Sequence, residues 1–287
     1  MIIAHGTDGT HVGAPVLPLV VLAVAACAYL LLALGQQRHR RRWSHRRTLS
    51  FLTGTALLCA ALVPQAAPFP AGDLRGHMLQ HLIIGMVAPM ALMLGAPITL
   101  LLRSLAPRQG RAIGRVLRSR PAHLVAHPVT ALALNIGGLA ALYLTPLYTA
   151  TVSNPLLHDL VHLHFLAAGY LFAWVIAGRD PAPRRPSVGA RILVLGMAIA
   201  AHAALAQLMY AGLLVQIPAP ADELRGAATL MYYGGDMAEL LLALALLTDW
   251  RPQRRARHGH TPAAGAAGGA AGAAAAGDQR PPAATPR

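Results

Sequence analysis

Seven long apolar stretches dominate this chain, running roughly Val16 to Leu34, Leu49 to Val63, Met78 to Leu102, His123 to Leu144, Leu156 to Ala177, Ile192 to Val215 and Thr229 to Leu247. Most supply the ~20 residues that cross a hydrocarbon core of ~30 Å. The expected fold is therefore an all-α polytopic membrane protein, a seven-transmembrane-helix bundle. Composition agrees: 55% hydrophobic residues, 12% charged and a mean hydropathy of +0.49 call for lipid or a bundle interior rather than one water-soluble core.

The formal charge of +14 arises because 24 basic residues, all arginine, face only 10 acidic ones. Arg38, Arg40, Arg41, Arg42, Arg46 and Arg47 fall between the first two stretches, and Arg103, Arg108, Arg111, Arg115, Arg118 and Arg120 between the third and fourth. Arg179, Arg184, Arg185 and Arg191 separate the fifth from the sixth, and another group follows the seventh. Only Arg75 and Arg225 fall on the other side, so the positive-inside rule predicts an outside N-terminus and a cytoplasmic C-terminus. The same arginines attract anionic membrane lipids. Nucleic-acid binding would need a folded reading surface, and none is suggested.

Three regions are expected: a short extracytoplasmic segment over 1–15, a membrane domain over 16–248, and a basic, Ala/Gly/Pro-rich disordered cytoplasmic tail over 249–287. The basic cluster follows the first apolar run instead of preceding it, so that run reads as a retained helix and not a cleavable signal. His5, Asp8 and His11 form either a loose metal lure or a polar leader; His258 and His260 read as tail. Cys27 and Cys59 lack Cys-x-x-Cys spacing and read as packing residues. This argues against thioredoxin-type chemistry and covalent c-type haem attachment.

The strongest local constellation is His77-Met78-Leu79-Gln80-His81 at the head of the third stretch. Histidines four apart share a helix face at ~6 Å along the axis, so one metal can contact both rings. Met78 could add a thioether, and imidazole with thioether suits copper, particularly Cu(I), better than magnesium or calcium. Met86, Met90 and Met93 read either as an inward soft-metal path or as ordinary core packing. Pro89 and Pro97 are expected to bend this helix. The fifth stretch opens with a matching group, His158, Asp159, His162 and His164. His158 and His162 share a face and are candidate ligands. His164 points elsewhere and is assigned to transfer, partner contact or haem. Asp159 either orients an imidazole or caps the helix.

The last stretch carries Tyr232, Asp236 and Glu239, and intramembrane carboxylates are costly unless paired, protonated or facing a polar cavity. His202 is central in the sixth stretch, with Met209 towards its end. It reads as a buried hydrogen-bonding histidine or as a second metal position. His123 and His127 have helical spacing at the opposite end and read as a far-side receiving site or as headgroup contacts.

His77 through His81 with Ala88-Pro89 and Leu94-Gly95-Ala96-Pro97, then His158 through His164 with Gly169, Phe172 and Trp174, then Tyr232-Tyr233-Gly234-Gly235-Asp236 make a combined pattern. In these residues the chain resembles the caa3-type cytochrome c oxidase assembly factor family, the Bacillus-type CtaG membrane proteins, over nearly the whole membrane region. The resemblance implies a factor that helps copper reach the extracytoplasmic copper centre of oxidase subunit II, in the bacterial cytoplasmic (inner) membrane, with subunit II or another assembly factor as partner. The ligand assignments rest on the residues themselves. Ligand exchange requires no covalent catalysis, so an enzyme is not expected. The rivals are a protein binding haem b between facing histidines, a copper channel or transporter, and a metal-free assembly scaffold.

Overall fold

A computed structural model describes residues 16–38, 42–63, 68–70, 72–183 and 185–249. The described residues form helices α1 (Val16–Arg38), α2 (His45–Leu62), α3 (Leu74–Leu82), α4 (Ala88–Leu94), α5 (Pro97–Ser104) and α6 (Pro107–Leu117). They continue with α7 (Arg120–Val125), α8 (Pro128–Leu144), α9 (Leu147–Ser153), α10 (Pro155–Ala177), α11 (Val188–Tyr210) and α12 (Ala221–Asp249). A π-helical turn, Ile83–Val87, joins α3 to α4. The N-terminal histidines, the tail histidines and the tail itself lie outside the described residues.

The expected seven spans are not what the chain forms. Among the described residues, five helical segments are long and apolar enough to cross a membrane: α1, the run Leu74–Ser104, α10, α11 and α12 over Ala221–Thr248. A sixth is reached only by counting α8 and α9 as one span broken by a 77° bend. The second expected span becomes α2, whose 18 residues begin with His45, Arg46 and Arg47 and carry Thr53, Gly54 and Thr55, too much polarity for its length. The fourth loses its first residues to α7, because Ser119 and Pro128 start separate helices. Both chain ends fall outside the described residues, so the orientation predicted from arginine placement does not stand.

Proline dictates the shape of the third segment. Pro89 has no N–H to give the carbonyl four residues back, that of Gly85. The chain answers with the π turn, in which the Ala88 N–H reaches Ile83 O. The turn packs on α10 at Gly169, where a Cβ would stand 1.9 Å from the Gly85 oxygen. Only glycine permits that approach, with a Cα hydrogen facing the carbonyl that Pro89 leaves free. Further on, Ala96 takes a left-handed conformation, φ 51°, so that Pro97 can open α5 in a new direction.

That break is held by buried polar contacts. Tyr29 donates to Gly95 O (2.8 Å), and Trp43 Nε1 donates to the Tyr29 hydroxyl (3.3 Å). Asp180, fully buried in the turn after α10, accepts from the backbone N–H groups of Ile98 (3.1 Å) and Thr99 (2.8 Å) and from the Thr99 hydroxyl. A carboxylate is tolerated there because the unpaired amides of the α5 N-terminus meet it. At the other end α3 and α12 run side by side in the same direction: Glu223 accepts from Leu74 N (3.1 Å) and Gly234 lies against Leu82.

Replacing Gly169 by alanine should destabilise the detergent-solubilised protein by about 1–3 kcal/mol through overpacking. Gly137→Ala, at a position with nothing within 4 Å, should leave thermal unfolding unchanged or slightly raised. Equal midpoints for the two variants would contradict the Gly85–Gly169 contact.

Candidate metal centre

Two helix starts place four histidines. Asp73 caps α3 by accepting from Arg75 N, and Asn154 caps α10 by accepting from Leu157 N, with Pro155 preset in the first turn. Four residues after each cap comes a histidine whose N–H bonds the cap carbonyl: His77 to Asp73 O (3.2 Å), His158 to Asn154 O (3.0 Å). The next turn supplies His81 and His162. Because α10 crosses against the π turn, the two pairs face each other.

The rings form a closed quadrilateral. Centroids are 4.1 Å apart for His77–His81 within α3 and 4.2 Å for His158–His162 within α10. Across the helices they are 5.8 Å for His77–His158 and 5.2 Å for His81–His162. His81 and His162 are buried, whereas His77 and His158 are half-buried and line a cavity of about 550 Å³ walled also by Phe69, Asp73 and Tyr148. The quartet thus has a floor of two rings and a rim of two.

The hydrogen-bonding inventory is unusual. The Nε2 atoms of His77, His81 and His162 are all buried without a hydrogen-bond partner. Leaving such atoms unpaired is costly unless something else meets them. Tyr143, from α8, lies 3.4 Å from His81 Nδ1 and 3.6 Å from Met78 Sδ. When the Tyr143 hydroxyl donates to the sulfur it is free to accept from His81 Nδ1–H, the tautomer that would leave Nε2 a bare lone pair. Tyr148 sets its ring edge-on to His77 at 5.2 Å. Three donor atoms from His158, Asp159 and His162 also lie within 4.8 Å of one another, a small cluster capable of coordinating a metal ion, with Asp159 exposed at its edge.

The other sequence candidates fall elsewhere. Met78 is buried behind His81 with its sulfur on Tyr143. His164 faces α8, its Nε2 3.2 Å from Leu134 O and its ring against Gly138. Met209 and Met93 are core residues, exposed by 1% and 0%. Tyr232 and Asp236 are half-buried on α12, and His127 caps α8 by accepting from Val129 N. Cys27 and Cys59 are free thiols. His202 and Glu239 are buried together deeper in the bundle. Sequence reasoning passed over Tyr143, Tyr148 and Asp180, none of which sits in a local pattern that announces its role.

The fold and site define a multi-pass helical membrane protein with a histidine cluster sunk between two spans, as expected of a protein in a bacterial inner membrane. The chain belongs to the cytochrome c oxidase caa3 assembly factor (Caa3_CtaG) family, whose model matches residues 27–253. It is 34% identical over 191 residues to the uncharacterised protein Mb0105 of Mycobacterium bovis and to MT0111 of Mycobacterium tuberculosis, covering 64% of this chain and 28% of each relative. The uncharacterised protein ML1998 of Mycobacterium leprae is 33% identical over 174 residues, covering 58% of this chain and 26% of that protein. The chain thus spans just over a quarter of the length of the curated relatives it matches. No solved structure matches it.

Charge at the cavity mouth is balanced locally. Hydrogen bonds from Arg75 hold the Asp73 carboxyl below its ordinary value of 3.8. A carboxylate so depressed stabilises the fold fully above that ordinary value and loses the contribution as pH falls through its lower folded value. Asp73→Asn keeps a capping side chain and removes the charge. The thermal-stability gap between wild type and this variant should therefore narrow as pH falls below 3.8; a gap independent of pH would assign Asp73 a purely capping role.

Proposed function

We propose that the protein is a copper-delivery factor of cytochrome c oxidase assembly that holds the metal at His77, His81, His158 and His162 and releases it by ligand exchange to oxidase subunit II or another assembly factor. The observation that carries this reading is the set of three buried, partnerless Nε2 atoms inside one ring cluster. Buried lone pairs on neighbouring rings from two helices are what a cation would satisfy, and among divalent first-row metals copper forms the strongest complexes with nitrogen donors. Tyr143 fixes the His81 ring in the way that hydrogen-bonded neighbours orient metal-bound imidazoles. The cavity in front of His77 and His158 gives a partner's ligands access to the rim, and Asp159 stands close enough to His158 and His162 to take part in exchange.

Haem b fits the cluster poorly. Rings already within 4.1–5.8 Å of one another leave no slot for a macrocycle between α3 and α10. All four facing groups are imidazoles, and the Met78 sulfur lies against the Tyr143 hydroxyl. A site of this kind accepts copper in either oxidation state.

Copper, zinc, iron and haem quantified in intact detergent-purified protein should give copper without a Soret band. The quadruple variant H77A/H81A/H158A/H162A should carry about one ion per chain less, and acidification should release copper as protons compete for the imidazole nitrogens. Iron with Soret absorbance, or no copper under copper-replete conditions, would overturn the reading. Tyr143→Phe should keep the fold but weaken copper binding by roughly 10–100-fold.

A further inference from the structure

Below the quartet, two small cavities lie end to end. The first, about 20 Å³, is lined by Met78, His81, Tyr143 and His202, and the second, also about 20 Å³, by Met90, Gly169 and Glu239. Gly85, Met86 and Asn135 line both. Each has room for a single water or ion, since a cavity of about 10–15 Å³ suffices for one water. The shared wall is the π turn that Pro89 imposes, so the same distortion that lets α10 approach also opens this passage.

His202 and Glu239 face each other there, 2% and 3% exposed. Their nearest atoms, His202 Nδ1 and Glu239 Oε1, are 3.8 Å apart, too far for a hydrogen bond, and Glu239 Oε2 has no hydrogen-bond partner. The ring lies against α12 at Gly235, where a Cβ would come within 1.8 Å of His202 Cε1. A side chain at 235 would push the ring away from the carboxylate. The pair is therefore fixed in place without being directly bonded. Two metal–ligand bonds of about 2.0–2.2 Å span 3.8 Å at an open angle. Gly234 packs on Leu82 and marks the depth of His81; Glu239, five residues on, lies about 7 Å further along the helix at ~1.5 Å per residue.

We propose that His202, Glu239 and Met86 form a second, inner site for a monovalent soft cation, Cu(I), which communicates with the histidine quartet through the cavity that His81 and His202 share. The His202 imidazole and the Met86 thioether are donors of the right softness. Glu239 supplies the negative charge that a cation needs in the membrane interior, where an unpaired carboxylate is otherwise costly. Met90 and Asn135 complete the wall of the inner chamber. The inference rests on the copper reading of the quartet and extends it from one station to two.

Full-length protein in detergent, kept reduced with ascorbate and titrated with Cu(I) against a competing Cu(I) chelator, tests it. Wild type should bind about two ions per chain, and Glu239→Gln and His202→Gln about one, with the quadruple quartet variant losing the other. Helicity and elution volume establish that the variants fold. X-ray absorption of fully loaded wild type should show a sulfur scatterer that Met86→Leu removes, a readout that needs neither inner variant. One ion in wild type, unchanged in Glu239→Gln and His202→Gln, or two ions in all three, would overturn the inner site and leave the quartet reading standing. No bound copper in wild type would overturn both.

Discussion

The contact between Gly169 of α10 and the carbonyl of Gly85 in the π turn sets the geometry of everything functional in this bundle. It exists because Pro89 strips that carbonyl of its normal partner and because residue 169 has no side chain to keep the helices apart. Once α10 lies on the turn, the first two turns of α3 and α10 stand opposite each other, and two independent i, i+4 histidine pairs become one cluster. Had the third segment been a regular helix, its register after Val87 would be rotated relative to α3, and the cavities beneath the quartet would not sit where they do.

Much of this was written locally in the sequence. The spacing of His77 with His81 and of His158 with His162 fixes which rings share a face, and the caps at Asp73 and Asn154 set where each helix starts. The proline pair at 89 and 97 announced a bent segment. Span number was less legible, because an apolar run does not reveal whether proline and polar residues split it; α2 and the α8–α9 pair are where counting failed. The partners of the quartet were not legible at all. Tyr143 reaches His81 from 62 residues away, and Asp180 caps α5 from a turn 81 residues on; neither distance has a period to detect. Sequence places the Met78 sulfur near His81 but does not show that the Tyr143 hydroxyl lies against it.

The polar groups of the interior are sorted by depth. At the cavity mouth Asp73 and Arg75 answer each other, and Glu223 ties the head of α3 to α12. At the arginine-rich end Asp180 is met by the helix amides of Ile98 and Thr99. Between these ends lie the Nε2 atoms of His77, His81 and His162 and Glu239 Oε2, all buried without a hydrogen-bond partner. Leaving these atoms open places part of the bundle's electrostatic cost on that stretch of the interior.

The quartet's two-tier exposure has a consequence for timing. An ion held by two sheltered rings and two accessible ones would be surrendered in sequence, the rim imidazoles yielding first to incoming donors while the floor still grips. Departure would then be second-order, hastened by the recipient's arrival and slow in its absence. Such a holder can bind tightly in an empty membrane and still hand over quickly on encounter, because its rate of letting go is set by the visitor and not by its own affinity.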